Sequence, residues 1–228
     1  MPALSVIVPA YNEAARLGAT LARVSAFLAD RDAELLVVDD GSRDATASIA
    51  EVCGARVVRH AVNRGKGAAT RTGMLAATGE RLLLCDADLA TPIEELANLE
   101  AALDAGADVA IGSRARATTT IAQPWPRRVL GRGFRMLVRA GLGLTVRDPM
   151  CGFKLFTREA AHDLFARSRI DGFAFDVEIL YLARRRWTVI EVPVQWRHVK
   201  GSRVQLGRDV VRSGLEIVAI RASGMLRR

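Results

Sequence analysis

Short apolar runs rich in Val, Leu and Ile alternate, through the first half of the chain, with longer segments whose apolar positions recur at helical spacing. Leu4–Pro9, Leu35–Val38, Arg56–Arg59, Arg81–Cys85 and Val109–Gly112 predict five strands. Between them Ala14–Leu28, a segment from about Asp44 with Asp44 or Ser42 as its N-cap, Lys66–Ala77 and Pro92–Leu103 predict helices. Repeated βα units imply an α/β fold: one mostly parallel sheet, Rossmann-like, flanked by helices. Ligands of such sheets bind beyond the carboxyl ends of the strands.

The second half is less regular. Gly152–Thr157 and Val189–Trp196 predict strands, the latter at a sheet edge because it contains Pro193. Arg158–Phe165, Phe175–Arg186 and a tail from about Leu206 to Arg228 predict helices. Trp125–Arg139 predicts a basic amphipathic helical region. There Leu130, Phe134 and Leu137 recur at spacings of four and three, flanked by Arg127, Arg128, Arg132, Arg135 and Arg139. No linker or repeat divides the 228 residues, so a single domain over 1–228 is expected.

Polar residues gather where the predicted strands end. The first ends in Pro9-Ala10-Tyr11-Asn12-Glu13, the second in Asp39-Asp40-Gly41-Ser42, the fourth in Asp86-Ala87-Asp88 and the fifth in Gly112-Ser113-Arg114. Two carboxylates one residue apart after a buried strand call for a cation, and hard dications such as Mg²⁺ take one or two carboxylates together with substrate phosphates. Asn63-Arg64-Gly65-Lys66-Gly67, between a strand and a helix, reads as a loop on the diphosphate side: glycines permit close approach, the helix start offers N–H groups, and Lys66 adds charge. It matches neither a Walker loop nor a dinucleotide fingerprint.

Composition narrows the classes. Three cysteines at unrelated spacings, Cys53, Cys85 and Cys151, argue against a disulfide framework and for a reducing compartment. The amino terminus lacks the basic and apolar stretches of a signal peptide, and no run approaches the roughly 18 apolar residues of a membrane span. A cytoplasmic protein is expected. The net charge of +8 attracts phosphates, nucleic acid or anionic lipid and by itself does not choose among them. Nucleic acid is disfavoured because the basic residues lack interleaved aromatics for stacking.

These motifs together resemble the family 2 glycosyltransferases of the GT-A fold. Ser5–Glu13, Val37–Ser42 and Asp86-Ala87-Asp88 carry the general resemblance. Asp148–Glu159, Phe175-Asp176-Val177-Glu178, Gly201-Ser202, Ile121-Ala122-Gln123 and Arg128 resemble the dolichyl-phosphate β-glucosyltransferases among the polyprenyl-phosphate sugar synthases. The resemblance implies UDP-glucose as donor, a polyprenyl monophosphate as acceptor, and Mg²⁺ or Mn²⁺ on Asp86 and Asp88. It implies that Pro9, Tyr11, Glu13 and Asp39 bind the nucleoside, with Lys66 and Asp86 also on the donor, and that Arg114 and Arg128 bind phosphate. Asp88, Arg114 and Arg128 are then the expected catalytic residues. Residues 1–115 form the nucleotide-sugar half, and 116–228 the acceptor-binding, membrane-proximal half. The mannosyl relatives carry a glutamine ligand two residues beyond the second aspartate, where this chain has Ala90.

A phosphate monoester, with a second pKa of about 6, is already ionised near neutral pH and needs no general base. No base is assigned. Asp176 and Glu178, at i and i+2, do not share a helix face, and the expectation of one structural and one solvated carboxylate stands beside a site role. His60, His162 and His198 read as structural or surface residues. Three alternatives remain: another enzyme with the same donor site, using GDP-mannose or passing sugar to a saccharide or protein; a non-catalytic nucleotide-sugar or membrane-binding module; and a nucleotidyltransferase. The last is disfavoured because Pro-Ala-Tyr-Asn-Glu replaces its Gly-rich loop. An isoprenoid acceptor implies peripheral attachment to the cytoplasmic face of a membrane through the basic helix and Arg208, Arg212, Arg221, Arg227 and Arg228.

Overall fold

The computed structural model describes residues 1–114, 138, 142–197, 199, 214, 216–218 and 220–221. Seven strands form one sheet in the order β3-β2-β1-β4-β6-β5-β7. They are β1 (Leu4–Ala10), β2 (Ala33–Asp39), β3 (Arg56–Arg59), β4 (Arg81–Leu84), β5 (Val109–Ser113), β6 (Lys154–Thr157) and β7 (Val189–Pro193). β1 is buried along its whole length, as expected of a central strand covered on both faces. It pairs in parallel with β2 and β4, and β5 pairs in parallel with β7. β6 is antiparallel to both neighbours, inserted between β4 and β5. Strands from both halves of the chain therefore share one sheet.

Among the described residues the helices include α1 (Ala14–Leu28), α2 (Thr46–Val52), α3 (Lys66–Ala76), α4 (Leu96–Asp104, preceded by a 3₁₀ turn Ile93–Glu95), α5 (Arg158–Arg167) and α6 (Phe175–Ala183). α1 buries Leu17, Leu21, Val24 and Leu28, one stripe at spacings of four and three. Each such side chain contributes about 1.5–3 kcal/mol when fully buried. Its first amides are capped from another element: Thr46 Oγ1 accepts from Glu13 N at 2.7 Å and Asp44 Oδ2 from Ala14 N at 3.2 Å.

Those bonds correct the expected N-cap of α2. Ala45 occupies the cap position without a side-chain bond. Ser42 is engaged elsewhere, its Oγ accepting from Asn12 N at 2.8 Å, while Asp44 Oδ1 accepts from Thr46 N at 3.0 Å. β7 is an edge strand as Pro193 predicts, but it stops at that proline instead of reaching Trp196. α6 stops at Ala183, three residues short of the expected end. The basic helix over 125–139 lies outside the described residues except for Val138, which is buried. Among the described residues no helix is long and apolar enough to cross a membrane.

Candidate active site

The loops after β1, β2 and β4 and the end of β5 meet along one edge of the sheet, because these four strands run the same way. Asp86 and Asp88 lie just past β4. Leu89 N donates to Asp86 O at 3.0 Å and Ala90 N to Asp88 Oδ1 at 3.1 Å, closing a tight turn in which Leu89 adopts φ 46°. Thr20 Oγ1 of α1 donates to Ala87 O at 2.8 Å and anchors the turn. Lys66 Nζ, from the first residue of α3, lies 2.6 Å from Asp86 Oδ1. Burial works against the charge on Lys66, but Asp86, Asp176 and Asp88 outweigh it and raise its pKa well above that of an ordinary lysine. Burial and the neighbouring Asp86 hold the Asp88 carboxyl above the usual range.

Excess negative charge at Asp88 fits a cation site. Arg16 Nη1 lies 4.0 Å from Asp88 Oδ2, but Arg16 is already held by Glu13, whose Oε1 accepts from Nη2 at 2.7 Å. The two carboxylates, beside the small Ala90, are oxygen ligands of the kind a hard dication would take. Among the described residues no group of three or more His, Cys, Asp or Glu side chains gathers to hold a metal.

The loops after β1 and β2 are stitched together. Asp39 is buried, its Oδ1 accepting from Ser42 N at 3.2 Å. Arg43 N donates to Asn12 Oδ1 at 2.8 Å, and Asn12 takes φ 53°, a left-handed conformation that asparagine tolerates. Pro9 is buried at the end of β1, beside Val38, and Tyr11 and Glu13 are half-buried at the loop that follows.

Asp40, to which the sequence assigned no role, organises the loop carrying Lys66. Its carboxylate accepts from Asn63 Nδ2 (2.9 Å), Arg64 N (3.0 Å) and Gly65 N (2.7 Å), and pairs with His60 Nδ1 at 2.6 Å. Gly67 N and Ala68 N donate to Asp171 O at 2.8 and 3.3 Å. This corrects the expectation that the loop and helix start offer free amides to a phosphate: four of those amides are already satisfied by protein oxygens. Lys66 supplies the cationic group, and the surrounding backbone supplies rigidity.

Arg114 follows β5 into a cleft lined by Asp86, Ala90, Cys151, Gly152 and Trp196 among others. Asp148 grips it through Nε and Nη2, both at 2.7 Å, and also accepts from Arg114 N at 2.9 Å. The guanidinium carbon lies 5.7 Å from the Trp196 ring centroid. Burial pushes the Cys151 thiol up to about 11, so this cleft residue stays protonated near neutral pH. Arg128 lies outside the described residues.

Both helical acids are buried and partnered, which corrects the expectation that one is solvated. Asp176 pairs with Lys154, and Glu178 accepts from Arg169 N and Ile170 N, each at 2.9 Å. His60, between Asp40 and Thr72 Oγ1 (2.9 Å), is structural as expected, and His198 is outside the described residues.

An open, mainly parallel sheet whose strand ends assemble an Asp-x-Asp turn, a lysine and a carboxylate-held arginine has the architecture of a GT-A glycosyltransferase. The model of glycosyl transferase family 2 matches residues 5–165, and the chain belongs to that family. It is 42% identical over 237 residues to a dolichyl-phosphate β-glucosyltransferase of Drosophila melanogaster, covering 91% of this chain and 73% of that protein. The Homo sapiens protein of the same name is 37% identical, with 91% and 74% covered. Among solved structures, glucosyl-3-phosphoglycerate synthase from Mycobacterium tuberculosis with phosphoglyceric acid superposes with a TM-score of 0.76 at 24% identity, covering 97% of this chain and 79% of that one. The same enzyme with Mn²⁺, UDP-glucose and phosphoglyceric acid gives 0.73 at 22% identity, with 97% and 79% covered. At that identity the likeness is one of fold.

Proposed function

We propose that this chain transfers glucose, with inversion, from UDP-glucose to a polyprenyl (dolichyl-type) monophosphate. The observation that carries the reading is the Asp86–Asp88 turn, bonded to Lys66 and facing a cleft whose other wall is Arg114 held by Asp148. Relatives named dolichyl-phosphate β-glucosyltransferases, similar along most of the chain, support the donor and acceptor classes.

In this reading Pro9, Tyr11, Glu13 and Asp39 hold the nucleoside, and Lys66 neutralises part of the diphosphate. Asp86 and Asp88 hold Mg²⁺ or Mn²⁺, which would supply the remaining charge neutralisation on the departing UDP. Arg114, and Arg128 from outside the described residues, grip the acceptor phosphate. The bidentate fork of arginine suits a phosphate as it suits a carboxylate. Asp148 fixes Arg114 in advance, so less ordering is left for the moment of reaction. The phosphate oxygen is the nucleophile and is already ionised, so the residues position and stabilise charge instead of removing a proton. The two halves of the site divide as donor (1–115) and acceptor (116–228), with Cys151 and Gly152 of the second half reaching the donor wall. A lipid acceptor keeps the enzyme at the cytoplasmic face of a membrane, attached peripherally through its basic surface.

Radiolabelled UDP-glucose and GDP-mannose, each offered with short polyprenyl phosphates, test the reading. Lipid-extractable label from UDP-glucose alone supports it. Preferred transfer from GDP-mannose would assign the mannosyl reaction, and absence of transfer from either would favour a binding module.

A further inference from the structure

Lys154 and Asp176 form a buried ion pair, with 1% and 3% of their side chains exposed. Lys154 Nζ bonds Asp176 Oδ1 and the carbonyl oxygen of Cys151. The residue after that carbonyl is Gly152, and Gly152 lies against Asp86: a Cβ built there would sit 2.0 Å from Asp86 Oδ2. Asp86 is also bonded, through Oδ1, to Lys66, whose charge Asp176 attracts. The Asp86 carboxylate thus meets both a backbone wall, held by Lys154, and an ammonium that Asp176 attracts.

Burying two charges is seldom favourable for stability alone, since apolar residues of similar volume often replace such pairs without loss. We infer that Lys154 and Asp176 are positioning residues that hold the Cys151–Gly152 backbone and Lys66, and through them fix Asp86 for the metal–diphosphate group. Both are buried, so they act through other residues. The inference rests on the proposed donor site.

The test is Mn²⁺-dependent UDP binding, measured by calorimetry beside thermal unfolding. Lys154→Met/Asp176→Leu removes both charges together and leaves neither one unpaired. Its melting temperature stays at or above the wild-type value, while UDP affinity at fixed Mn²⁺ falls by about 10- to 100-fold, the usual effect of losing a group that orients a metal ligand. Gly152→Ala produces the same loss by pushing Asp86 aside, and it keeps the inference testable where the double variant does not fold. A folded double variant, or Gly152→Ala, that binds UDP with wild-type affinity and Mn²⁺ dependence would overturn the inference and leave the proposed function standing. Wild-type protein that binds no UDP in Mn²⁺ would overturn both.

Discussion

The ammonium of Lys66 lies 2.6 Å from Asp86 Oδ1, so the first residue of α3 is bonded to the first aspartate after β4. Both side chains are partly open to solvent, at 25% and 35%. A partly solvated pair of this kind contributes at most about 1 kcal/mol to folding. Its value is therefore to be sought in ligand binding.

Lys66→Met accordingly leaves the melting temperature within a few degrees of wild type and weakens UDP. A bond to a charged group is worth about 1.5–3 kcal/mol, or roughly 10- to 150-fold in Kd. Calorimetric titration with UDP in Mn²⁺ checks this. Unchanged affinity would remove Lys66 from the donor site.

Gly65 is expected to be irreplaceable, and Gly54 is its control. Both have positive φ, 112° and 76°. A Cβ at Gly65 would meet Asp171 O at 2.4 Å, whereas one at Gly54 meets nothing within 4 Å. Gly54→Ala should lose only the left-handed penalty of about 1–2 kcal/mol. Gly65→Ala should lose more, and should weaken UDP as well, because it displaces the loop that carries Lys66. Urea unfolding and UDP titration of the two variants measure the contrast. Equal losses would mean that the packing of Gly65 on Asp171 is unimportant.

Asp148 provides a pH-dependent term. Burial pushes its carboxyl up, but the bonds from Arg114 more than offset this and hold its pKa below the ordinary carboxylate value. A depressed folded pKa adds stability that is fully present above the unfolded value of about 3.9 and is lost as pH falls through the lower folded value. Asp148→Asn should therefore cost about 1.5–3 kcal/mol near pH 7, with the gap to wild type closing below about pH 4. Urea unfolding at both pH values checks it. A gap that is constant with pH would assign the loss to packing instead.

The regular parts of this fold are plain in the sequence because burial imposes a period. Leu17, Leu21, Val24 and Leu28 mark α1, and the strands after them are apolar runs between turn residues. The antiparallel insertion of β6 is not legible, since Lys154-Leu155-Phe156-Thr157 gives neither partner nor direction. The turn aspartates announce a site but not their division of labour. Successive residues at a strand end face opposite ways, and only the fold brings Asn63, Arg64 and Gly65 to Asp40. Likewise Asp148 is 34 residues from Arg114, and Asp171 is 104 from Gly67. No local pattern links residues that far apart. The spacing of Asp176 and Glu178 did predict separate faces, and the two acids do bond different partners.

If Asp86 and Asp88 form a metal–diphosphate site for glucosyl transfer, turnover depends on both aspartates and on a dication. Label transfer from UDP-glucose to a short polyprenyl phosphate, followed in Mn²⁺ and in excess EDTA for wild type, Asp86→Ala and Asp88→Ala, tests it most directly. Wild type is expected to transfer label in Mn²⁺ and not in EDTA, Asp88→Ala not at all, and Asp86→Ala with weaker donor binding and an unchanged lipid KM. Full turnover in EDTA, or wild-type turnover by Asp88→Ala, would contradict it.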